Sequence, residues 1–150
     1  MVLIIGILAA VALPQYKLAV VKSRVATILP VMKSIANAEE VYYLQNGSYT
    51  AILNKLDVVL PANCTKAIHE NHQTCGNDFL FLDAIGGGIV GLYCPHANTS
   101  SSDCSAKAVF AIYGFYQHST GQYQNSWRCS PQNNSEFGKK LCKSITHTLY

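Results

Sequence analysis

The sequence predicts an α+β fold in which a long N-terminal α-helix packs against a small antiparallel β-sheet head that is stapled by disulfides. Three features indicate this. An apolar run of thirteen residues leads into a helical pattern of apolar positions. Short apolar runs separated by glycines follow, and such runs are typical of hairpins. All six cysteines lie after the helix, and an even number of cysteines favours a disulfide framework.

The opening segment, residues 1–13, is uncharged and almost wholly apolar, and Pro14 follows it. A helix that is apolar on every face is not typical of a soluble surface, so we expect it to lie in lipid or among copies of itself. At about 1.5 Å per residue the run spans roughly 20 Å, short of the ~30 Å hydrocarbon core. We therefore expect further apolar residues upstream in the natural chain. A secretory signal peptide is a rival interpretation, but no basic residue precedes the run and more helix follows it.

The helical pattern continues beyond Pro14 with apolar residues three and four positions apart, which predicts an amphipathic helix. These residues are Leu18, Val21, Val25, Ile28, Leu29 and Met32. Because proline lacks an amide hydrogen, we expect the helix to loosen at Pro14 and to bend near Pro30. Within residues 34–44, the side chains expected to face the head are Ile35, Ala38, Val41, Tyr42 and Leu44. Asn46-Gly47 is expected to end the helix.

The predicted organisation is a protruding hydrophobic helix, residues 1–33, used for assembly or membrane contact, and a globular head, residues 34–150. Within the head we expect an αβ-loop at about 46–78, an antiparallel sheet at about 79–128 and a disulfide-bounded loop at 129–142. Strands are expected at 79–85, 89–94, 106–116 and 123–129. A glycine turn is expected at 86–88 and a polar loop at 95–103. The final segment, 143–150, is expected to fold back on the sheet edge. Short connections favour an antiparallel meander packed on the helix.

The cysteines are Cys64, Cys75, Cys94, Cys104, Cys129 and Cys142. A disulfide framework indicates an oxidising compartment outside the cytoplasm. Many pairings are possible in principle, and the simplest is sequential: Cys64–Cys75, Cys94–Cys104 and Cys129–Cys142.

The first cysteine loop also offers an alternative interpretation as a zinc site. Two cysteines and two histidines, Cys64, His69, His72 and Cys75, are able in principle to bind zinc tetrahedrally. Their spacing departs from the usual zinc patterns, and the compartment is expected to be oxidising. We therefore favour a disulfide with two exposed histidines.

The segment Ile5-Gly-Ile-Leu-Ala-Ala-Val-Ala-Leu-Pro-Gln-Tyr16 resembles the N-terminal helix of type IV pilins and the related pseudopilins of type II secretion systems. The segment Asn46-Gly-Ser-Tyr-Thr50 resembles the place where such pilins leave the helix. The methylated Phe and the Glu that open the family's mature chains have no counterpart here. The resemblance implies the type IV pilin fold, a C-terminal loop closed by Cys129–Cys142, and unwinding around Pro14 in an assembled filament.

The function implied by this resemblance is that of a structural subunit polymerising into a bacterial type IV pilus for adhesion, motility or DNA uptake. The expected assembly residues are Ile5, Ile7, Leu8, Ala9, Val11, Leu13 and Pro14. The expected partners are other copies of the chain, the inner membrane before assembly, the pilus assembly machinery, a host surface or DNA ligand, and an O-glycan in the 96–103 loop. The expected location is the cell surface, with an unassembled pool in the inner membrane.

The basic residues Lys17, Lys22 and Arg24 lie just past the apolar run. They are expected to form a solvated face or to lie at the membrane surface before assembly. Alternatively, they pair with Glu39 and Glu40 of a neighbouring subunit.

Other functions remain as alternatives. The chain is also compatible with a pseudopilin, a minor pilin, or a surface binding module that uses loops 95–104 and 129–142. Five aromatic residues favour the last alternative if they stack on bases or sugars, although we expect them to fill the core. They are Tyr113, Phe115, Tyr116, Tyr123 and Trp127.

Composition argues against several other classes of function. Only 13% of the residues are charged and the net charge is +3, with no block of like charges, so charge alone does not imply nucleic-acid binding. The glycines of Gly86–Gly91 are not a phosphate loop, because neither the Lys-Ser/Thr pair nor a helix pattern follows. No catalytic arrangement of Ser, His and Asp or of paired carboxylates can be recognised. We therefore expect no enzyme activity, no cofactor and no metal.

Overall fold

The computed structural model of the chain describes residues 2–50, 52–62, 64–66, 72–75, 80–85, 87–95 and 101–149. One long helix, α1, spans Val2–Asn46 and continues through Pro14 and Pro30. It ends where predicted. Gly47 adopts a positive φ of 72°, and its amide donates a hydrogen bond to the carbonyl of Tyr43 over 2.8 Å. Glycine reaches this left-handed conformation without a steric penalty.

The described part of the head contains six strands in one antiparallel sheet, arranged in sequence order. The strands are β1 (Cys64–Lys66), β2 (His72–Cys75), β3 (Leu80–Ile85), β4 (Gly88–Tyr93), β5 (Phe110–Phe115) and β6 (Trp127–Pro131). The helices that follow α1 are α2 (Ser101–Lys107) and α3 (Glu136–Ile145), and 3₁₀ turns lie at Leu53–Lys55 and Thr146–Thr148. The predicted fold class is therefore confirmed: a long N-terminal helix on a small antiparallel sheet with disulfides.

One stripe of α1 packs against the head. Its buried apolar residues are Val21, Val25, Ile28, Leu29, Met32 and Ile35. They recur three and four positions apart and so lie on one side of the helix. They share a core with Ile89 of β4, with Phe110 and Ile112 of β5, and with Leu141 of α3. Packing on the head thus begins near Val21, well before the predicted boundary at residue 34. Val41 and Leu44, which were expected to face the head, are instead 54% and 75% exposed.

The hairpin of β3 and β4 agrees with the strands predicted at 79–85 and 89–94. Phe79 and Gly86 lie outside the described residues. Strands β1 and β2 were not expected, because their residues are mostly polar and show no apolar alternation. They pair in a register that sets Cys64 opposite Cys75.

The next strand is shorter than predicted. Residues 101–107 form α2 rather than part of a polar loop and the start of a strand, so β5 begins at Phe110 instead of residue 106. Within α2, the side chains of Asp103 and Lys107 pair across one helical turn at 2.9 Å, and such pairs stabilise helices. Cys104 is buried on this helix and bonded to Cys94 at the end of β4. The following strand, expected at 123–129, begins at Trp127 and continues to Pro131.

Helix α3 replaces much of the predicted terminal loop and of the segment expected to fold back on the sheet edge. Ser135 caps it, because its hydroxyl accepts a hydrogen bond from the amide of Gly138 over 3.0 Å. Leu141, Ile145 and, after the helix, Leu149 are buried in the shared core. Leu141 and Ile145 are four residues apart and so lie on the same face of α3.

The sequential disulfide pairing is confirmed: Cys64–Cys75, Cys94–Cys104 and Cys129–Cys142. Cys64 and Cys75 are therefore not available as zinc ligands. His69 lies outside the described residues, as does the side chain of His72. In the described part of the chain, no group of three or more His, Cys, Asp or Glu side chains is placed to hold a metal ion.

Replacing Gly138 by alanine is expected to lower the free energy of unfolding by about 2–3 kcal/mol. A Cβ atom there would collide with the carbonyl oxygen of Val109, which also accepts a hydrogen bond from the amide of Gln132. Gly6→Ala is the matched control, because Gly6 is also helical and nothing lies within 4 Å of its added Cβ. Urea unfolding with the disulfides intact measures both variants. Equal stability of the two variants would contradict the close approach of α3 to the backbone of Val109.

Candidate assembly surface

The N-terminal part of α1 extends beyond the head. Its described side chains from Ala12 to Lys17 are exposed, and the exposed fractions are 58% for Leu13 and 68% for Tyr16. Burial on the head begins only with Leu18, which is partly buried, and Val21. An exposed apolar surface of this kind is typical of a site of interaction with another protein or a membrane.

The predicted assembly residues all lie on this part of α1. Leu13 and Pro14 are exposed. The side chains of the others lie outside the described ones; these residues are Ile5, Ile7, Leu8, Ala9 and Val11. The residues that the structure describes include no helix with both the length and the hydropathy to cross a membrane.

A largely apolar groove of about 580 Å³ lies where α1 leaves the head. Tyr16 and Val20 of α1 form one side, and Tyr93 of β4, Val109 and Phe137 of α3 contribute to the other. Lys17 and Arg24 also border it. The groove therefore combines apolar walls with cations at its edge.

The three basic residues predicted to be solvated or to pair between subunits have different surroundings. The side chain of Lys22 donates a hydrogen bond to the carbonyl of Ser144 over 3.3 Å, which joins α1 to the C-terminal end of α3. Lys17 and Arg24 are exposed on α1. All three lie at the base of the head, where the apolar helix emerges.

Glu39 is fully buried on the stripe of α1 that packs against the head. Its Oε2 accepts a hydrogen bond from the amide of Thr50 over 3.0 Å, while its Oε1 is buried without a hydrogen-bond partner. Burial is the main cause that raises the pKa of Glu39 to about 7, and the charge of Glu40 adds to it, while the Thr50 amide acts in the opposite direction. Glu39 therefore keeps its proton to a higher pH than an exposed carboxyl does.

Glu40 joins the end of α1 to the loop between β5 and β6. Its carboxylate accepts hydrogen bonds from the Tyr49 hydroxyl over 2.9 Å and from the amide of Gln117, and its Oε2 lies 2.8 Å from Nδ1 of His118. The His118 ring stacks on Tyr43 with 4.6 Å between ring centroids. Burial is the main cause that raises the pKa of Tyr49 to about 12, so the hydroxyl remains a donor.

Both glutamates are engaged within their own chain, which differs from the alternative in which they pair with basic residues of a neighbouring subunit. Glu39 has no exposed surface with which to reach another subunit. Glu40 is held by groups from the loop that precedes β6. Sequence reasoning missed this cluster because Gln117 and His118 lie 77 and 78 residues away in the chain, and no local pattern links them to Glu40.

The aromatic residues expected to fill the core divide between the two faces of the sheet. Tyr116 is only 2% exposed, and Trp127 packs against the core. Tyr113 and Phe115 are half-buried, with 6.2 Å between their ring centroids, and Phe115 lies 5.6 Å from the ring of Tyr123. Tyr123 is 41% exposed, so these three rings form an outer aromatic row. Strand alternation explains the division, because Tyr113 and Phe115 alternate with the buried Ile112 and Gly114.

The guanidinium of Arg128 lies over the Tyr123 ring, 4.0 Å from its centroid. Arg128 is paired with Tyr113 across β5 and β6, so it belongs to the same face of the sheet. The outer aromatic row therefore carries one cation at its end.

Comparisons of the chain with protein-family models, with curated proteins and with solved structures find no match.

Proposed function

We propose that this chain is a pilin-type structural subunit that polymerises through the N-terminal part of α1 into an extracellular filament. The observation that carries the proposal is the exposure of Leu13 and Tyr16 on a helix whose preceding residues are almost wholly apolar. Removing this surface from water between neighbouring helices would stabilise an assembly by about 25 cal/mol per Å² of apolar area. The apolar helices form the filament core in this proposal, and the heads form its wall.

Several features of the head support this assignment. Its three disulfides suit an extracellular location, because such bonds persist in oxidising compartments. The helix-on-sheet architecture is compatible with the pilin-like fold that residues 5–16 imply. The head has its own core, which includes Met32, Phe110 and Leu141, so it can fold while the apolar helix remains available.

Electron microscopy of filaments sheared from the source cells tests this proposal. A subunit of a pilus is abundant in such filaments, whereas a pseudopilin or a minor pilin is scarce in them or absent. Filaments of normal yield and thickness from cells that lack this chain would contradict the proposal.

A second candidate function is ligand binding at the outer aromatic row. Exposed rings offer stacking surfaces for bases or sugars, and Tyr123 and Phe115 lie on the face of the sheet away from α1.

Tyr123→Ala is expected to weaken binding of such a ligand by roughly 10-fold, since stacking contributes about 1–3 kcal/mol per ring. Tyr16→Ala is a control of the same chemistry on α1. Calorimetric titration with oligosaccharides and with single-stranded DNA, across a salt series, measures the affinity. If neither ligand binds the wild-type protein, the outer aromatic row has no role in such binding.

A further inference from the structure

The loop between β5 and β6, residues 116–126, is held against the end of α1 by a cluster of hydrogen bonds. The carboxylate of Glu40 accepts from the amide of Gln117, and its Oε2 lies 2.8 Å from Nδ1 of His118. The amide of His118 donates to the hydroxyl of Tyr49 over 2.8 Å, and this hydroxyl donates to Glu40 over 2.9 Å. We call these four residues the loop clasp.

The contact between Glu40 and His118 depends on protonation. An ionised carboxylate only accepts hydrogen bonds, so Nδ1 of His118 is the donor in this contact. The imidazole donates in this way either as a neutral ring with its proton on Nδ1 or as the protonated cation. The cation makes the stronger contact, because charge-assisted hydrogen bonds are about twice as strong as neutral ones. The clasp therefore tightens when His118 gains a proton.

Aromatic rings around the imidazole act in the same direction. The ring of His118 stacks on Tyr43, with 4.6 Å between centroids and an angle of 13° between the planes. Tyr43 in turn lies 4.6 Å from the ring of Tyr49, which lies 4.7 Å from that of Tyr116. A cation within about 6 Å of a ring centroid is attracted to the face of the ring. The stacking on Tyr43 thus also favours the protonated imidazole.

The described titratable groups around the imidazole are Glu39, Glu40 and Tyr43 of α1, Tyr49 after it and Tyr116 of the loop itself. Glu39 accepts from the amide of Thr50, and burial is the main cause that raises its pKa to about 7. Burial also raises the pKa of Tyr49 to about 12, so its hydroxyl stays protonated at neutral pH. Histidine is the side chain that ordinarily changes charge between about pH 5 and 8. Within the loop clasp, the pH response near neutrality therefore comes from His118.

The β5–β6 loop is closed by its own hydrogen bonds and so forms one unit. The carbonyl of Tyr116 accepts from the amide of Asn125 over 3.2 Å and from the hydroxyl of Ser119 over 2.8 Å. The side chain of Gln124 donates to the carbonyl of Ser119. The loop also carries Tyr123, whose ring belongs to the outer aromatic row. A displacement at the clasp is therefore transmitted to the ring of Tyr123.

We propose that the loop clasp is a pH-dependent device that holds the β5–β6 loop tightly on α1 in mild acid and loosens it as the pH rises. A proton on His118 strengthens its contact with Glu40, and loss of that proton leaves a neutral hydrogen bond. Because Tyr123 moves with the loop, the clasp controls where this ring lies in the outer aromatic row. The device acts within one chain and is independent of filament formation.

Hydrogen exchange of the detergent-solubilised chain tests the proposal, because the amides of Gln117 and His118 donate into the clasp. Their protection, corrected for intrinsic exchange, is expected to fall roughly 3- to 5-fold between about pH 5.5 and about pH 8. The change is modest because the side chains of His118 and Glu40 are 39% and 21% exposed, so solvent screens the pair. The ring-proton resonances of Tyr123 should shift over the same pH range.

His118→Asn isolates the imidazole. Asparagine keeps a donor near the position of Nδ1 but does not titrate, and the variant shares every other titrating group with the wild type, including Glu39. The difference between the two pH profiles therefore reports His118 alone. Both the fall in protection beyond that of the variant and the shift of the Tyr123 resonances are expected only in the wild type.

Glu40→Gln is expected to reverse the direction of the pH response. The glutamine oxygen still accepts from Tyr49 and Gln117, while its amide nitrogen faces Nδ1 of His118 and donates only to a neutral imidazole. Protection relative to His118→Asn should therefore rise with pH in this variant.

Glu136→Gln is the matched control, because it removes a carboxylate that pairs with Lys139 at 2.7 Å on α3. It should leave the exchange of the Gln117 and His118 amides as in the wild type. Parallel pH profiles for the wild type and His118→Asn would overturn the proposal. A response of Glu40→Gln in the same direction as that of the wild type would overturn it as well.

Discussion

A charge placed in the apolar part of α1 is expected to abolish filament formation while the head still folds. Ala9→Asp and Ile7→Lys each put an ionised group into a segment that is uncharged from residue 1 to residue 13. Burying an unpaired charge between helices costs several kcal/mol. Because each 1.4 kcal/mol changes an equilibrium tenfold, filament yield should fall by at least ~100-fold. Electron microscopy and the mass of sheared filaments measure this yield.

The control for this experiment is Asn37→Asp, which adds the same negative charge as Ala9→Asp at an exposed position on the packed part of α1. It should leave the filament yield near that of the wild type. Near-ultraviolet circular dichroism of all three variants reports whether the core around Met32 and Phe110 is intact. Normal filament yield from Ala9→Asp and Ile7→Lys would remove the basis of the proposed function.

The stability of the head is expected to fall as the pH rises from about 4.5 to about 7, by roughly 2 kcal/mol. The cause is Glu39, whose pKa is raised from 4.5 to about 7, chiefly by burial. Between these values the folded chain keeps the proton that the unfolded chain has lost, so the folded state binds more protons. The stabilisation that protonated Glu39 contributes is therefore fully present below the pKa of Glu39 in the unfolded chain. It is lost as the pH rises through the pKa of Glu39 in the folded chain.

Glu39→Gln isolates this effect, because glutamine has a similar shape and no charge. The variant should show a flatter dependence of unfolding free energy on pH, and above pH 7 it should be more stable than the wild type. Glu136→Gln is the control, since Glu136 is an exposed carboxylate on α3 whose removal leaves the Glu39 contribution in place. Urea unfolding of the detergent-solubilised monomer at several pH values, with the disulfides intact, gives the curves. Parallel curves for the wild type and Glu39→Gln would contradict a buried proton at Glu39.

The elements with strong local signals could be predicted from the sequence. The period of apolar residues from Leu18 to Met32 identified α1, and Asn46-Gly47 identified its end. The glycines between two apolar runs identified β3 and β4. Short separations favoured the observed disulfide pairs, because nearby cysteines close small loops.

Other features of the fold depend on contacts between residues that are far apart in the chain, and a local sequence pattern does not reveal such contacts. Strands β1 and β2 are polar and short, and the Cys64–Cys75 bond sets them side by side. The burial of Glu39 follows from its position on the packed stripe of α1, where the spacing from Ile35 places it on the same side. From residue type alone, Glu39 and Glu40 would both be expected to be charged residues at the surface. The tertiary fold separates them, because one faces the core and the other faces the loop that contains His118.

The disulfides also determine how the head would respond to tension. Each closes a short span, of 11, 10 and 13 residues, and none of the three joins α1 to the sheet. A pulling force on the N-terminal helix would therefore reach β4 and β5 through side-chain packing and the hydrogen bonds of Glu40. These noncovalent contacts would break before the force acts on any disulfide bond. The crosslinks would then keep β1 with β2, the end of β4 with α2, and β6 with α3, so the head could close again once the tension is released.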